Sequence, residues 1–294
     1  MLSALPTWGP GHLRFRDNDP NAAGTEREVI FLQAGDIFYK NLGEQCVEHG
    51  IGVDLFIMSS TYVDIATVGI SSLLVHYLCT GTLSCMTGGD TFLYSNFIAQ
   101  RDAIRLAGDF TRTITRETGY QAMMKVRCSN GLRAADYDGN FFQHKPTEIE
   151  FGTIDADKGV VVKFKHDGKV ERKLDVVFQS ALLYTTASGE RRVRVQNIAA
   201  HSTNDVSEVF KHADEDAITV TIAKEASFKM LTKTSREVRD GIGDKCIRIL
   251  ANYRKYSGSG AHQSQLILPE KLRLLPLYTL GLLKTRAFRG MSSQ

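Results

Sequence analysis

Leu182-Leu183-Tyr184-Thr185-Thr186-Ala187-Ser188-Gly189-Glu190-Arg191-Arg192-Val193-Arg194-Val195 reads as two strands folded back on each other about Ser188-Gly189. A serine-glycine pair supplies the positive φ that a tight turn requires. Successive strand side chains point to opposite faces, so Arg192 and Arg194 share one face and Val193 and Val195 the other. The expectation is that the arginines face solvent and the valines face the core. The same punctuation recurs at Asn130-Gly131, Asp138-Gly139 and Asp167-Gly168. It separates the short runs Ala122 to Cys128, Val160 to Phe164, Leu174 to Thr186 and Arg191 to Ile198. Such spacing predicts an antiparallel β-sandwich or barrel in the middle of the chain.

The flanks differ in character. Upstream, Phe38, Leu42 and Cys46 recur at helical spacing before Gly50, and Ile51 to Met58 is a short apolar run, read as a buried strand with Asp54 inside it. A second strand, Thr91 to Tyr94, follows Gly88-Gly89. Ala103, Leu106, Ala107, Phe110 and Ile114 then mark one face of a helix ending near Gly119. This alternation predicts an α/β zone. Downstream come Val206, Val209, Phe210 and Ala213, then Val238, Ile242, Ile249, Leu250 and Tyr253, then a Leu-rich segment from Leu272 to Leu283 opened by Pro269. These predict a helical bundle. The fold class is therefore α/β, then all-β, then all-α, divided at 1–117, 118–202 and 203–294. Ser257-Gly258-Ser259-Gly260 alone reads as a flexible linker.

Composition narrows the function. With 294 residues, 43% hydrophobic and 23% charged, the chain can bury a large core in two or three domains. A formal net charge of +3 argues against wholesale nucleic-acid binding, so an electrostatic partner must meet a local patch. The odd set Cys46, Cys79, Cys85, Cys128 and Cys246 follows no secretory signal, which fits a reducing cytosol. The longest apolar stretch, around Ile65 to Leu78, is interrupted by polar residues and falls short of the roughly 20 residues that span a bilayer.

No catalytic set emerges. Cys79 and Cys85 lack a second Cys or His pair for a structural zinc site, and Cys46 with His49 has no further donor. No Ser sits in a Gly-x-Ser-x-Gly elbow, and Cys128 has no nearby His. Gly88-Gly89-Asp90 lacks the Lys and Ser/Thr of a phosphate loop and reads as a turn. Asp214 and Asp216 read as a solvated acidic surface. The expectation is no enzyme, no cofactor and no metal. The positive feature is Arg192 with Arg194, two aligned guanidiniums suited to bidentate bonds with carboxylates; a merely soluble strand face accounts for them equally.

Five runs carry a resemblance: Gly52-Val53-Asp54-Leu55-Phe56, Tyr62-Val63-Asp64-Ile65-Ala66-Thr67, Gly139-Asn140-Phe141-Phe142, the hairpin quoted above, and Leu275-Pro276-Leu277-Tyr278. In this order, from about Leu5 to Arg289, they resemble the cargo-adaptor subunit of the inner COPII coat, the Sec twenty-four family. The resemblance implies the end of a von Willebrand-A-like trunk, an antiparallel β-sandwich and a helical domain. It implies a non-catalytic adaptor that binds sorting signals on cytosolic tails of membrane cargo for endoplasmic reticulum to Golgi transport. The implied partners are also the GTPase-activating subunit of the inner coat and an anionic membrane, with no nucleic acid. The implied location is cytoplasmic, peripheral on endoplasmic reticulum exit sites and COPII vesicles. Carried over by position, Leu182 falls in a cargo-signal pocket, with a plain core position as the alternative, and Arg192 and Arg194 meet acidic signals or anionic headgroups.

The chain also departs from that family. Without Cys-x2-Cys pairs it lacks the zinc finger, so the structural zinc of full-length members is not expected in this fragment. The first half of the trunk, early sandwich strands and a gelsolin-like domain are missing, and Ser71 to Cys85 adds residues. The chain therefore reads as a partial one whose α/β zone lacks most of its parallel sheet. The rival readings are a structural remnant without independent function and a GTPase regulator using Arg191 or Asp54.

Overall fold

The structure is a computed structural model that describes residues 1–16, 25, 27–68, 83–170, 175–257 and 267–288. Cys79, the added residues as far as 82, and the linker beyond Ser257 lie outside the described residues.

The α/β layer contains α1 (Glu28–Phe31), α2 (Phe38–Glu48), β1 (Leu55–Ile57), α3 (Ile65–Val68), α4 (Leu83–Thr87), β2 (Thr91–Leu93) and α5 (Ala99–Thr115). Strands β1 and β2 pair in parallel, with the rings of Phe56 and Phe92 stacked at 4.6 Å. Leu2 bridges to Ile57 on the other edge of β1. Helix α2 buries Gly43 and Val47 rather than its Phe38 side, because the side chain of Met86 on α4 packs where a Gly43 Cβ would stand.

Helix α5 departs from expectation. Its apolar stripe is present, yet no residue of the helix is buried, and Ile114 is 65% exposed. A two-stranded layer is too narrow to cover a helix of this length; Phe110 reaches it edge-on to Phe56, and Leu106 is half-buried. The helix is held instead by a polar bond, the Tyr94 hydroxyl donating to Asp109 Oδ2 at 2.6 Å.

The middle of the chain contributes β3 (Thr118–Cys128), β4 (Leu132–Asp138), β5 (Phe142–Lys145), β6 (Glu148–Asp155), β7 (Val161–His166), β8 (Asp175–Thr185) and β9 (Arg191–His201). Five strands form an antiparallel sheet in the order β5-β6-β3-β8-β9, and β4 pairs with β7 as the second layer. The space between is filled by Ala122, Tyr137, Phe141, Ile149 and Phe151, with Leu182 and Tyr184 packed against them.

The strand register corrects the reading of the hairpin. Leu182 pairs with Arg194, Tyr184 with Arg192 and Leu183 with Val193. Paired residues project from the same face. Arg192 and Arg194 therefore share the inward face with Leu182 and Tyr184, whereas Val193 and Val195 point outward and are 64% and 50% exposed. The period of two holds, but every residue of β9 is exposed, because neither face of this edge strand is covered by a second layer.

The last part comprises α6 (Val206–Lys211), α7 (Glu215–Lys229), α8 (Ser235–Ser257) and α9 (Leu275–Lys284), with short 3-10 turns at Glu270–Leu272 and Arg286–Phe288. Ile222, Ala226, Val238, Ile242, Cys246, Leu272, Leu275 and Phe288 form its core. Asp214 is not simply a solvated acid: it caps α7, accepting from the Ala217 N–H at 3.0 Å. The bundle docks on the sandwich through Lys224, which donates to Gly159 O at 3.1 Å, and through Glu225, which pairs with Lys163 on β7. Glu225 also accepts from Lys229 and Lys245. Burial alone would raise its carboxyl, but the bonds from the two lysines outweigh that and push it down to about 2.

The α/β layer meets the sandwich backbone to backbone. Gly88 sits at φ +80°, and a Cβ there would lie 2.1 Å from Thr153 O; a Cβ on Gly152 would lie 2.1 Å from Ile51 O. The prediction is that Gly88→Ala lowers stability by about 2–4 kcal/mol, from left-handed strain plus overpacking. Urea unfolding checks it, and a loss near zero would mean that the seam is looser than this geometry.

Candidate functional site: the cleft between the α/β layer and the sandwich

Arg116 follows the last turn of α5 in extended conformation, which turns its side chain under the layer. Its guanidinium reaches Asp90 Oδ2 at 2.7 Å, Asp155 Oδ2 at 3.2 Å and Asp54 Oδ1 at 3.5 Å. Lys158 binds Asp90 and stands 3.7 Å from Asp155. Three carboxylates thus face two cations. Burial pushes the Asp54 carboxyl up, with the Asp90 N–H and Arg116 pulling it only part of the way back. Burial acts likewise on Asp90, but hydrogen bonds from Lys158 and Arg116 prevail and hold that carboxyl below the usual range.

Beside this network opens a cleft of about 830 Å³. Asp54, Arg116, Glu117 and Asp155 line the α/β side and the junction, and Tyr120, Tyr184, Ser188 and Arg192 line the sandwich side. One wall is acidic, and the other carries an arginine beside two tyrosines. Arg192 is exposed and interacts with the exposed Glu190 and with Tyr184, so an incoming carboxylate can compete for its guanidinium.

Of the three residues singled out in the sequence, the structure brings only Arg192 into the cleft. Leu182 packs against the sandwich core, the plain alternative, and Arg194 lies exposed on β9 outside the cleft. Arg191, the candidate finger of a GTPase regulator, is tied down: its Nη1 donates to Gln121 O at 2.7 Å and to Thr185 Oγ1 at 2.8 Å. Gln121 is itself at φ +46° in the bulged part of β3, so Arg191 secures an irregular strand. The sequence reading missed Arg116, Asp90, Asp155 and Lys158, which no local motif joins. The one available signal was Gly88-Gly89 directly before Asp90.

No metal-binding set assembles among the described residues. Cys46, Cys85, Cys128 and Cys246 lie on four different elements and do not fit a structural zinc. Burial raises the thiols of Cys46 and Cys128, the opposite of what a nucleophile needs. Among the described residues no helix is long and apolar enough to cross a membrane.

An α/β layer, a sandwich and a helical bundle follow one another in that order, the first two joined at the Arg116 network and the last docked on the sandwich, which defines a three-part multidomain protein. The Sec23/Sec24 trunk domain matches residues 1–114, the Sec23/Sec24 beta-sandwich domain residues 119–203 and the Sec23/Sec24 helical domain residues 214–294. The chain belongs to the Sec23/Sec24 family. It is 39% identical over 285 residues to the protein transport protein SEC24 B of Arabidopsis thaliana, covering 96% of this chain and 25% of that one. It is 36% identical to the human protein transport protein Sec24D, covering 96% of this chain and 26% of that one. The crystal structure of the human COPII-coat protein Sec24c superposes with a TM-score of 0.87 at 34% identity, over 98% of this chain and 36% of that one. The chain spans about a quarter of the length of these curated relatives.

The charges predict a pH dependence. Asp90 and Glu225 have folded-state pKa values below their ordinary ones, so each contributes stability that is present above the ordinary carboxylate range. That contribution is lost as pH falls through the folded value, for Glu225 between about 4.5 and about 2. Asp54, being raised, acts in the opposite sense and is relieved by protonation. Urea unfolding from pH 6 to pH 3 should show falling stability, and Glu225→Gln should cost roughly 1–2 kcal/mol at neutral pH with a flatter acid limb. An unchanged acid limb in the variant would show that Glu225 does not carry the effect.

Proposed function

We propose that the chain serves as a COPII coat component in protein transport and binds short acidic sorting signals of membrane cargo in the cleft between the α/β layer and the sandwich. The observation that supports this is Arg192 in the cleft wall, exposed, flanked by Tyr120 and Tyr184 and opposed by an acidic wall. A signal carboxylate bonds the guanidinium, its apolar side chains lie on the tyrosine rings, and its backbone N–H groups face Glu117 and Asp54. None of these steps makes or breaks a covalent bond. The GTPase-activating subunit of the inner coat is the proposed partner of the α/β layer, and the site of action is the cytosolic face of endoplasmic reticulum exit sites.

A second reading, a remnant without independent function, draws on β9 and α5, whose apolar residues are left uncovered. Circular dichroism separates the two: one cooperative melt of helix and sheet supports a working module, and non-coincident melts support the remnant.

In fluorescence titrations with a di-acidic tail peptide, Arg192→Glu should weaken binding by roughly tenfold and Arg194→Glu by less than about threefold. Leu182→Trp should act through stability, lowering the melting temperature by overpacking the core. Equal losses in the two charge reversals would move the site out of the cleft onto the open face of β9.

A further inference from the structure

The five-stranded sheet ends on two strands that are finished differently. At one end β5 is only four residues long, its register on β6 is irregular, and it closes on Lys145. Short length, irregularity and a lysine are the means by which an edge is kept from pairing with another chain. At the other end β9 has none of them. Its eleven residues include no proline or lysine, and they pair with β8 without a register shift from Arg191 to His201.

The phase of the ladder shows what that edge presents. The Thr186 N–H donates to Glu190 O at 2.9 Å, and bonded pairs alternate from there, so Arg192, Arg194 and Gln196 bond to β8. The N–H and C=O groups of Val193, Val195, Asn197 and Ala199 therefore point away from β8, and among the described residues no strand follows β9. Apolar surface reaches the same edge on the outer face of the sheet, where Met123, Leu183 and Val193 form one row across β3, β8 and β9. Charge selects the direction in which a like strand can pair. All the arginines of β9 lie in its first four residues, and the rest, Val195 to His201, carries no Lys, Arg, Asp or Glu. The far end has Asp175 beside His201, at 3.1 Å. A parallel copy would stack like arginines about 5 Å apart. An antiparallel copy sets the basic end of each strand against the end of the other that holds Asp175.

We propose that β9 pairs antiparallel with β9 of a second copy of this chain, about a two-fold axis through Gln196, joining the two sheets into one. In this register Val193 faces Ala199 of the second copy, so the row of Met123 and Leu183 runs on across the junction, and Arg194 faces Ile198. The two Arg194 side chains then stand about 14 Å apart along the strands, beyond the roughly 8–10 Å over which salt leaves exposed charges in contact. The two-fold makes every contact twice, and the outward backbone groups of each strand meet those of the other. The proposal does not depend on the reading of the cleft.

Sedimentation velocity of the full chain from about 1 to about 100 µM should show monomer giving way to dimer. Val195→Pro removes an outward N–H and leaves the bonds to β8 in place, so it should weaken dimerisation by at least about tenfold while the melt stays cooperative. With oxidised glutathione, Gln196→Cys should form a disulfide between copies, because residues facing each other on the axis have Cα atoms about 4.5 Å apart. Arg192→Cys, roughly 26 Å from its equivalent, should crosslink no more than the wild type. Monomer throughout the range, a dimer as tight in Val195→Pro as in the wild type, or equal crosslinking in the two cysteine variants would overturn the proposal. Should the proline variant lose its cooperative melt, the cysteine variants decide alone.

Discussion

The guanidinium of Arg116 is the point on which the arrangement turns. It gathers Asp54 from the approach to β1, Asp90 from the approach to β2 and Asp155 from the end of β6, so one side chain ties the two parallel strands to the sandwich. Such partly buried ion networks are weak sources of net stability, because desolvation offsets much of the attraction. Their effect is positional: breaking one bond leaves a buried charge without its partner, so competing placements of the layers are costly. The backbone contacts at Gly88 and Gly152 act in the same direction, since any side chain there would hold the layers apart. Together they set the width of the cleft in which Arg192 stands.

Away from the seam the structure is less self-contained. Strand β9 offers eleven exposed residues with Val193, Val195 and Ile198 open to solvent, and α5 offers its apolar stripe to a layer of two strands. Both are edges of the kind that proteins ordinarily pair or cover. The polar bonds that hold these parts, Arg191 to the bulge at Gln121 and Tyr94 to Asp109, fix their position without covering their apolar surface.

Much of the fold was legible because turn chemistry and period are local. Gly131 and Gly189 take the positive φ their dipeptides imply, and the runs from Ala122 to Ile198 become β3, β7, β8 and β9. What a strand faces is not local. Alternation separates Arg192 from Val193 but does not say which side meets a core; that depends on where β4 and β7 end relative to β9. The same holds for the site. Arg192 could be picked out because its neighbours repeat its charge, whereas Arg116, Asp90, Asp155 and Lys158 are scattered through sixty-nine positions and meet only when β6 crosses the Gly88 turn. Leu182 is the converse case: a matching run suggests a binding role and its apolar side chain a core position, and the run alone does not show that it packs, half-buried, against Ala122, Ile149 and Phe151.

The most direct test of the seam is a double-mutant cycle in which Arg116→Met and Asp90→Asn are made singly and together and unfolding free energies are measured at neutral pH. The account predicts a coupling energy of about 1–3 kcal/mol, with the double variant much less destabilised than the sum of the singles. Strict additivity, with a coupling energy within about 0.3 kcal/mol of zero, would contradict it and would mean that the Arg116–Asp90 pair does not fix the layers.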